Sequence, residues 1–455
     1  MNNGKRSSFS GKLGYVLAAA GASVGLGNIW RFPYLAAKYG GGIFLIIYIV
    51  LALTFGYTMI VAETAIGRMT RKSPVGAFKS FGKKKWLSFG GWINAVIPVL
   101  IVPYYSVIGG WVIKYLVEYF RGNAKLLAED GYFTDFISNG VSTELCFVAF
   151  CAFTLIIIFA GVQNGIERVS KIMMPILIVL SVIIAVYSVT RPGALAGVKY
   201  FLVPNVNNFS WMTVVAAMGQ MFYSLSIAMG ILITFGSYMK KDTAIEDSTR
   251  NVEIFDTGIA IMAGLMIIPA VFAFSGGDPD TLQAGPSLMF ITIPKVFQNM
   301  GFGTVIGIVF FLLVLFAAVT SSIALTESAV STFEDELGWG RKKATVLVGV
   351  IMLALGSLSS LGYGPLAGIK IIGMQFLDLF DFLTNSVMMP IAAFLTSLFV
   401  SRVVGIDKIE EEIIHGESAF RRKKVFVVMI KYLCPVFAII ILLSSVANAL
   451  GWIKM

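Results

Sequence analysis

The sequence predicts an all-α polytopic membrane protein, built as an inverted repeat of five helices plus five with an eleventh helix added. Three observations carry this. Of 455 residues 57% are hydrophobic and 13% charged, at mean hydropathy +0.84, a balance outside the range of soluble globular domains. Apolar runs long enough to cross about 30 Å of hydrocarbon recur eleven times. The first and sixth runs are interrupted by glycine and polar residues. A helix in lipid must satisfy its own backbone, so irregular polar backbone persists there only where it lines a cavity or meets protein.

The expected spans are 12–37, 41–68, 89–120, 144–161, 165–190, 211–239, 252–275, 302–332, 344–362, 371–401 and 425–450. Residues 1–455 read as one domain, with a first repeat over 10–190, a second over 205–402 and the additional helix at 425–450. Spans 1 and 6 open the two halves. Five is odd, so the halves enter the membrane with opposite orientation. Span 1 begins after Lys5, Arg6 and Lys12, and Leu17-Ala18-Ala19-Ala20 imitates a signal-peptide cleavage site. The apolar segment continues to Pro33, so it reads as a retained span.

Span 1 carries Gly21-Ala22-Ser23-Val24-Gly25-Leu26-Gly27-Asn28-Ile29-Trp30-Arg31-Phe32-Pro33, and span 6 carries Gly219-Gln220 through Ser224, Ser226 and Gly230. Paired Gly-interrupted segments at matching positions of two halves point to a transporter binding site, with helix dipoles facing the substrate and freed carbonyls facing cations. Small-residue packing faces are the alternative; Ser23, Asn28 and Arg31 weigh against it.

With the N-terminus in the cytoplasm, most of the 35 Lys and Arg residues fall in cytoplasmic segments, as the positive-inside rule requires. The predicted topology is therefore N-in and C-out, in the cell membrane. The net charge of +10 then follows from topology and anionic headgroups, not nucleic acid. Cys146, Cys151 and Cys434 lie inside spans without metal-ligand spacing. His415 falls in a charged loop and reads as solvated. HExxH does not occur, and no enzyme is expected.

GASVGLGNIWRFPY resembles the first-helix signature of the neurotransmitter:sodium symporters, including their bacterial leucine-transporter branch. Gly40-Gly41-Gly42, Glu63 before Gly67-Arg68, Tyr104-Tyr105, Gln220 to Gly230 and Thr320-Ser321-Ser322 extend the similarity over nearly the whole chain. It implies the leucine-transporter fold and sodium-coupled import of an amino acid by alternating access, with two sodium ions. An amino-acid-binding receptor on the same fold, without concentrative transport, is the alternative. The sequence gives no oligomeric state.

The resemblance also implies site residues. One sodium site takes carbonyls of Gly21, Val24 and Ala317 with the hydroxyls of Thr320 and Ser321, unless those hydroxyls bond back to the preceding turn. The other takes the Ser23 carbonyl, the Asn28 side chain, Ser224, Asp256 and the substrate carboxylate. Asp256 stands where many relatives have asparagine, while the acidic position seen in some chloride-independent relatives is Ala260. A carboxylate at Asp256 supplies the charge that chloride supplies elsewhere, so no chloride requirement is expected. Tyr48, Gln220 and Ser224 match chloride-binding positions and can instead hydrogen-bond Asp256; a plain helix-end charge is the other reading of Asp256.

Gly25 matches the position where monoamine-transporting relatives carry aspartate, which leaves room for an α-carboxylate against the amides of Leu26 and Gly27 and the Tyr105 hydroxyl. Ala22, Ile101, Tyr223, Ser226, Met229, Ser321 and Leu325 complete an uncharged pocket, expected to take a neutral, apolar amino acid, branched aliphatic or aromatic. Ala228 replaces a glycine found in relatives of broad range. Arg31 and Asp381 match an outer gate, with Tyr105 and Tyr223 as the lid; Arg6 and Asp335 match an inner latch, with Phe9 as a plug. Plain interfacial charges are the alternative for these four. Gly165 and Pro175 match a release-route hinge that unwinds, or form an ordinary proline kink.

Overall fold

The computed structural model describes residues 6–82, 84–276, 285–449 and 451–452; Lys5 and the last residue of the expected eleventh span lie outside them. Among the described residues, nine helices are individually long and apolar enough to cross a membrane. They are Gly42–Thr70, Lys85–Phe120, Gly140–Phe159, Val162–Val189, Ile245–Ser275, Gly303–Leu337, Arg341–Leu361, Phe376–Val404 and Lys423–Ala449, here spans 2 to 5 and 7 to 11.

Span 1 is a broken pair, Lys12–Ser23 and Gly27–Lys38, bent by 54°. Span 6 is broken more widely, into Trp211–Ser224 and Ile231–Tyr238. A capping box at Ser210 and Thr213 starts it. Its break holds Ser226, Ala228 and Gly230 at φ 53°, 58° and 69°. Two of these are not glycine, so the segment keeps a strained, left-handed path that its surroundings must hold.

Spans 3 and 8 form the inner scaffold. They pack along each other, and span 8 also meets the first half of span 1, while the second half of span 6 lies on span 2. The last contact is close: a Cβ on Gly236 would lie 2.5 Å from the Thr64 carbonyl oxygen. Spans 4 and 11 are the most lipid-facing, with 39% and 33% of their apolar windows buried against 78% for span 3.

Three boundaries differ from expectation by five residues or more. Span 7 begins at Ile245, seven residues early, because Glu246 and Asp247 are not loop residues: the Glu417 carboxylate accepts from both their amides, at 2.5 and 3.4 Å, and caps the helix. Span 10 begins only at Phe376, since Gly373 at φ 76° and an Ile371–Met374 bridge hold residues 371–374 out of the helix. Span 8 runs on to Leu337, where Asp335 and Glu336 take basic partners. The segment from Gly165 to Pro175 is wound helix here, with Pro175 inside span 5.

Candidate functional site

The two helix breaks meet, and there the amides of Leu26 and Ala228 find partners outside their own helices, on Tyr105 and Glu63. Around them lies a narrow cavity of about 30 Å³. Ala22, Gly25, Leu26, Gly27, Ile101, Tyr105, Tyr223, Ser226, Met229, Ser321 and Leu325 all line it, together with Ser23, Asn28 and Ser224. No charged side chain does. Ile231 lines it too, and sequence reasoning missed it: an isoleucine at the start of an apolar half-helix carries no signal separating it from its neighbours.

Hydrogen bonds between the breaks fix the walls. Ser226 donates to the Ala22 carbonyl at 2.9 Å, and the Leu26 amide donates to the Tyr105 hydroxyl at 3.3 Å. Glu63, fully buried on span 2, accepts from the Ala228 amide at 2.8 Å and so helps hold the left-handed path of span 6. Gly27 has no room for a side chain, since a Cβ would lie 2.5 Å from the Tyr223 ring.

Asp256 sits at 0% exposure among three donors. Tyr48 donates to Oδ2 at 2.9 Å, Ser224 to Oδ1 at 2.8 Å and Asn28 Nδ2 to Oδ1 at 2.8 Å. Its carboxylate is therefore an internal group of the site, and the helix-end reading is wrong for its position. Gln220 does not join this set; it donates to the Gly27 carbonyl at 3.1 Å. Ala260 is buried in the same span.

Across the cavity the Ser321 hydroxyl lies 3.2 Å from the carbonyls of Gly21 and Ala22 and 3.3 Å from that of Val24. Thr320 Oγ1 bonds back to the carbonyls of Phe316, at 2.9 Å, and Ala317, at 3.2 Å. The back-bonded alternative thus describes Thr320 as it stands. Even so, Gly21 and Thr320 touch, and a Cβ on Gly21 would lie 3.1 Å from the Thr320 Cβ. All five oxygen donors expected of a second cation site are brought to one junction between spans 1 and 8. A sodium ion takes oxygen ligands, and carbonyls with hydroxyls are the donor chemistry that suits a hard cation.

Tyr105 and Tyr223 separate the cavity from a vestibule of about 420 Å³ whose walls include Arg31, Tyr104, Asp378, Asp381 and Asn385. Arg31 and Asp381 face this space without forming an ion pair. Arg31 lies 5.3 Å over the Tyr223 ring, while Asp381 accepts from Asn385 at 2.6 Å and Tyr104 at 3.3 Å.

The face carrying the N-terminus is closed. Arg6 pairs with Asp335 at 2.5 Å and donates to Ser237 and Ser331 at 2.9 and 2.7 Å. Phe9 is buried edge-on against Tyr15, Phe235 and Tyr238.

Known proteins resemble the chain over nearly its whole length. The model of the sodium:neurotransmitter symporter family matches residues 6–130 and 131–452. The uncharacterized sodium-dependent transporter YhdH of Bacillus subtilis is 34% identical over 98% of this chain and 99% of its own length. The sodium- and chloride-dependent GABA transporter 2 of Macaca fascicularis is 26% identical over 90% of this chain and 74% of its own. Among solved structures, MhsT in complex with L-phenylalanine superposes with a TM-score of 0.86 at 35% identity, covering 97% of this chain and all of that one.

Proposed function

The chain belongs to the sodium:neurotransmitter symporter family, a family of multi-pass secondary transporters and not of enzymes, and from that premise we propose that it imports a neutral, apolar α-amino acid together with two sodium ions and without chloride. The observation that carries this reading is the uncharged cavity at the two helix breaks. Its Gly25-to-Gly27 backbone and the Tyr105 hydroxyl suit a carboxylate, and its other end offers Ile101, Met229, Ile231 and Leu325 to an apolar side chain. Burying an unpaired charge there is prohibitive. The L-phenylalanine bound in MhsT favours an amino acid of this class.

In this reading Ser23, Asn28, Ser224 and Asp256 hold one sodium next to the substrate carboxylate. Each then completes the other's site, which is the differential affinity that coupling needs. The carbonyls of Gly21, Val24 and Ala317 with Thr320 and Ser321 hold the second, after Thr320 turns from its own helix. Asp256 takes the place of chloride. At roughly 100 mV and a tenfold gradient, two ions supply on the order of 7 kcal/mol, enough to concentrate a neutral solute about 10⁵-fold.

Arg31 and Asp381 close the vestibule once the substrate is seated, and Arg6 with Asp335 and Phe9 forms the cytoplasmic latch, with the N-terminus inside and the C-terminus outside. Release then needs span 5 to unwind between Gly165 and Pro175. Arg6→Ala removes four contacts to span 6 and span 8 groups at once, and should favour the inward-open form. A cysteine at Ser237 should become reactive to a cytoplasmic thiol reagent about tenfold faster in that variant, a shift of about 1.4 kcal/mol; unchanged labelling would remove the latch from the scheme.

Uptake of radiolabelled apolar amino acids into proteoliposomes, with an inward sodium gradient and gluconate in place of chloride, tests the whole reading. Accumulation above equilibrium that vanishes without sodium is expected. Saturable binding without accumulation would identify a receptor instead, and uptake confined to chloride buffers would remove the role given to Asp256.

A further inference from the structure

Away from the transport path, on the face that carries the N-terminus, a cavity of about 90 Å³ is lined by Glu246, Asp247, Arg250, Glu417, Arg421 and Arg422. Its acids are already engaged. Glu246 accepts from Tyr57 and from the amides of Arg421 and Arg422, at 2.8 to 2.9 Å. Glu417 caps span 7, and Asp247 pairs with Lys12. Arg422 lies 4.6 Å over the Tyr57 ring and reaches Glu253 at 3.4 Å. The guanidinium groups of Arg250 and Arg421 feel the Asp247 carboxylate but make no side-chain hydrogen bond among the described residues, and both residues are exposed, as is Lys424.

Beside this cluster spans 7 and 11 both pack on span 2. Span 2 is tied to span 7 through Tyr57–Glu246 and Tyr48–Asp256 and to span 11 through the Phe55–Phe437 ring stack at 5.9 Å. Leu53 and Val50 on span 2 are exposed, as are Ile254 on span 7, at 60%, and Val428 on span 11, at 50%.

We propose that this cavity and the exposed apolar residues of spans 2, 7 and 11 hold an anionic phospholipid, with its phosphate on Arg250 and Arg421 and an acyl chain along span 2 between spans 7 and 11. A phosphate group takes two guanidinium forks in charge-assisted hydrogen bonds, and basic residues beside a span attract anionic headgroups. Exposed apolar residues on the three spans that meet beside the cavity favour a lipid over a soluble phosphate. The inference rests on the chain spanning a membrane and is independent of the transport reading.

Native mass spectrometry of the full chain, exchanged into micelles with equal phosphatidylglycerol and phosphatidylcholine, tests it. The unaltered protein should retain phosphatidylglycerol selectively, and R250Q/R421Q should lose about tenfold or more of that retention. R250K/R421K should keep most of it, as should R402Q, an interfacial arginine at the end of span 10. Both arginine side chains lie outside the packing that holds the fold, so each variant's unfolding midpoint should match the unaltered protein. Equal retention by R250Q/R421Q, or no preference between the two lipids, would overturn the proposal. Displacement of the bound lipid by millimolar inorganic phosphate would reassign the site to a soluble anion.

Discussion

Asp256→Asn should lower sodium-driven uptake in gluconate buffer about 100-fold, and chloride should restore a large part of it. The substitution keeps side-chain size, so packing around span 7 is preserved, while the fixed negative charge and one of the two acceptor oxygens are lost. That charge lies next to the oxygen set offered to a cation by Asn28 and Ser224, and a cation in a dry site without a counter-charge is strongly disfavoured. A 100-fold loss is about 2.7 kcal/mol, modest for removing a buried counter-ion. Recovery by chloride follows from the donors. Tyr48, Ser224 and Asn28 each donate to the carboxylate at 2.8 to 2.9 Å, and the same hydroxyls and amide suit a halide. Parallel uptake in sodium gluconate and sodium chloride reads both effects. Uptake at the unaltered level in gluconate would show that Asp256 is not the compensating charge.

Gly25→Ala is the second substitution with a large expected effect. A Cβ at Gly25 would stand 2.8 Å from Ser321 Oγ and 3.2 Å from the Tyr105 hydroxyl, so both groups have to move. Ser321 is the hydroxyl that gathers the carbonyls of Gly21, Ala22 and Val24, and Tyr105 is bonded to the Leu26 amide. One methyl thus disturbs the carboxylate end of the cavity and one cation site together. Equilibrium binding of a radiolabelled apolar amino acid in saturating sodium should weaken about 100-fold, or about 2.7 kcal/mol. Gly258→Ala is the control: its Cβ meets nothing within 4 Å, and binding should be unchanged. Equal affinities for the two variants would mean that the cavity is not the substrate site.

The helix breaks were legible because glycine, amide and hydroxyl groups within a span-length apolar run have few uses other than a cavity wall. The converging wall residues were legible only through the family resemblance, since Ile101, Met229 and Leu325 are ordinary span residues by composition. Other features were beyond reach for physical reasons. Glu246 and Asp247 read as loop charges because their cap, Glu417, comes 171 and 170 residues later. Gln220 went to the Gly27 carbonyl instead of Asp256 because of the bend of span 1, which no local pattern encodes. The separation of Arg31 from Asp381 depends on how far span 10 leans over the vestibule, a property of conformation and not of residue type.

Arg68 has a consequence for how the protein is made. It is fully buried at the end of span 2, yet its partners are the Thr243 carbonyl and the side chain and carbonyl of Glu412, 175 and 344 residues downstream. At ~5–20 residues per second, a ribosome takes roughly 20 to 70 seconds to travel from Arg68 to Glu412. A guanidinium cannot wait that long in a dry interior, so the end of span 2 has to stay hydrated while nearly the whole remaining chain is inserted. The bundle is therefore sealed late, when the connector before span 11 arrives. A nascent chain released upstream of Glu412 leaves this arginine at the end of span 2 without its carboxylate partner.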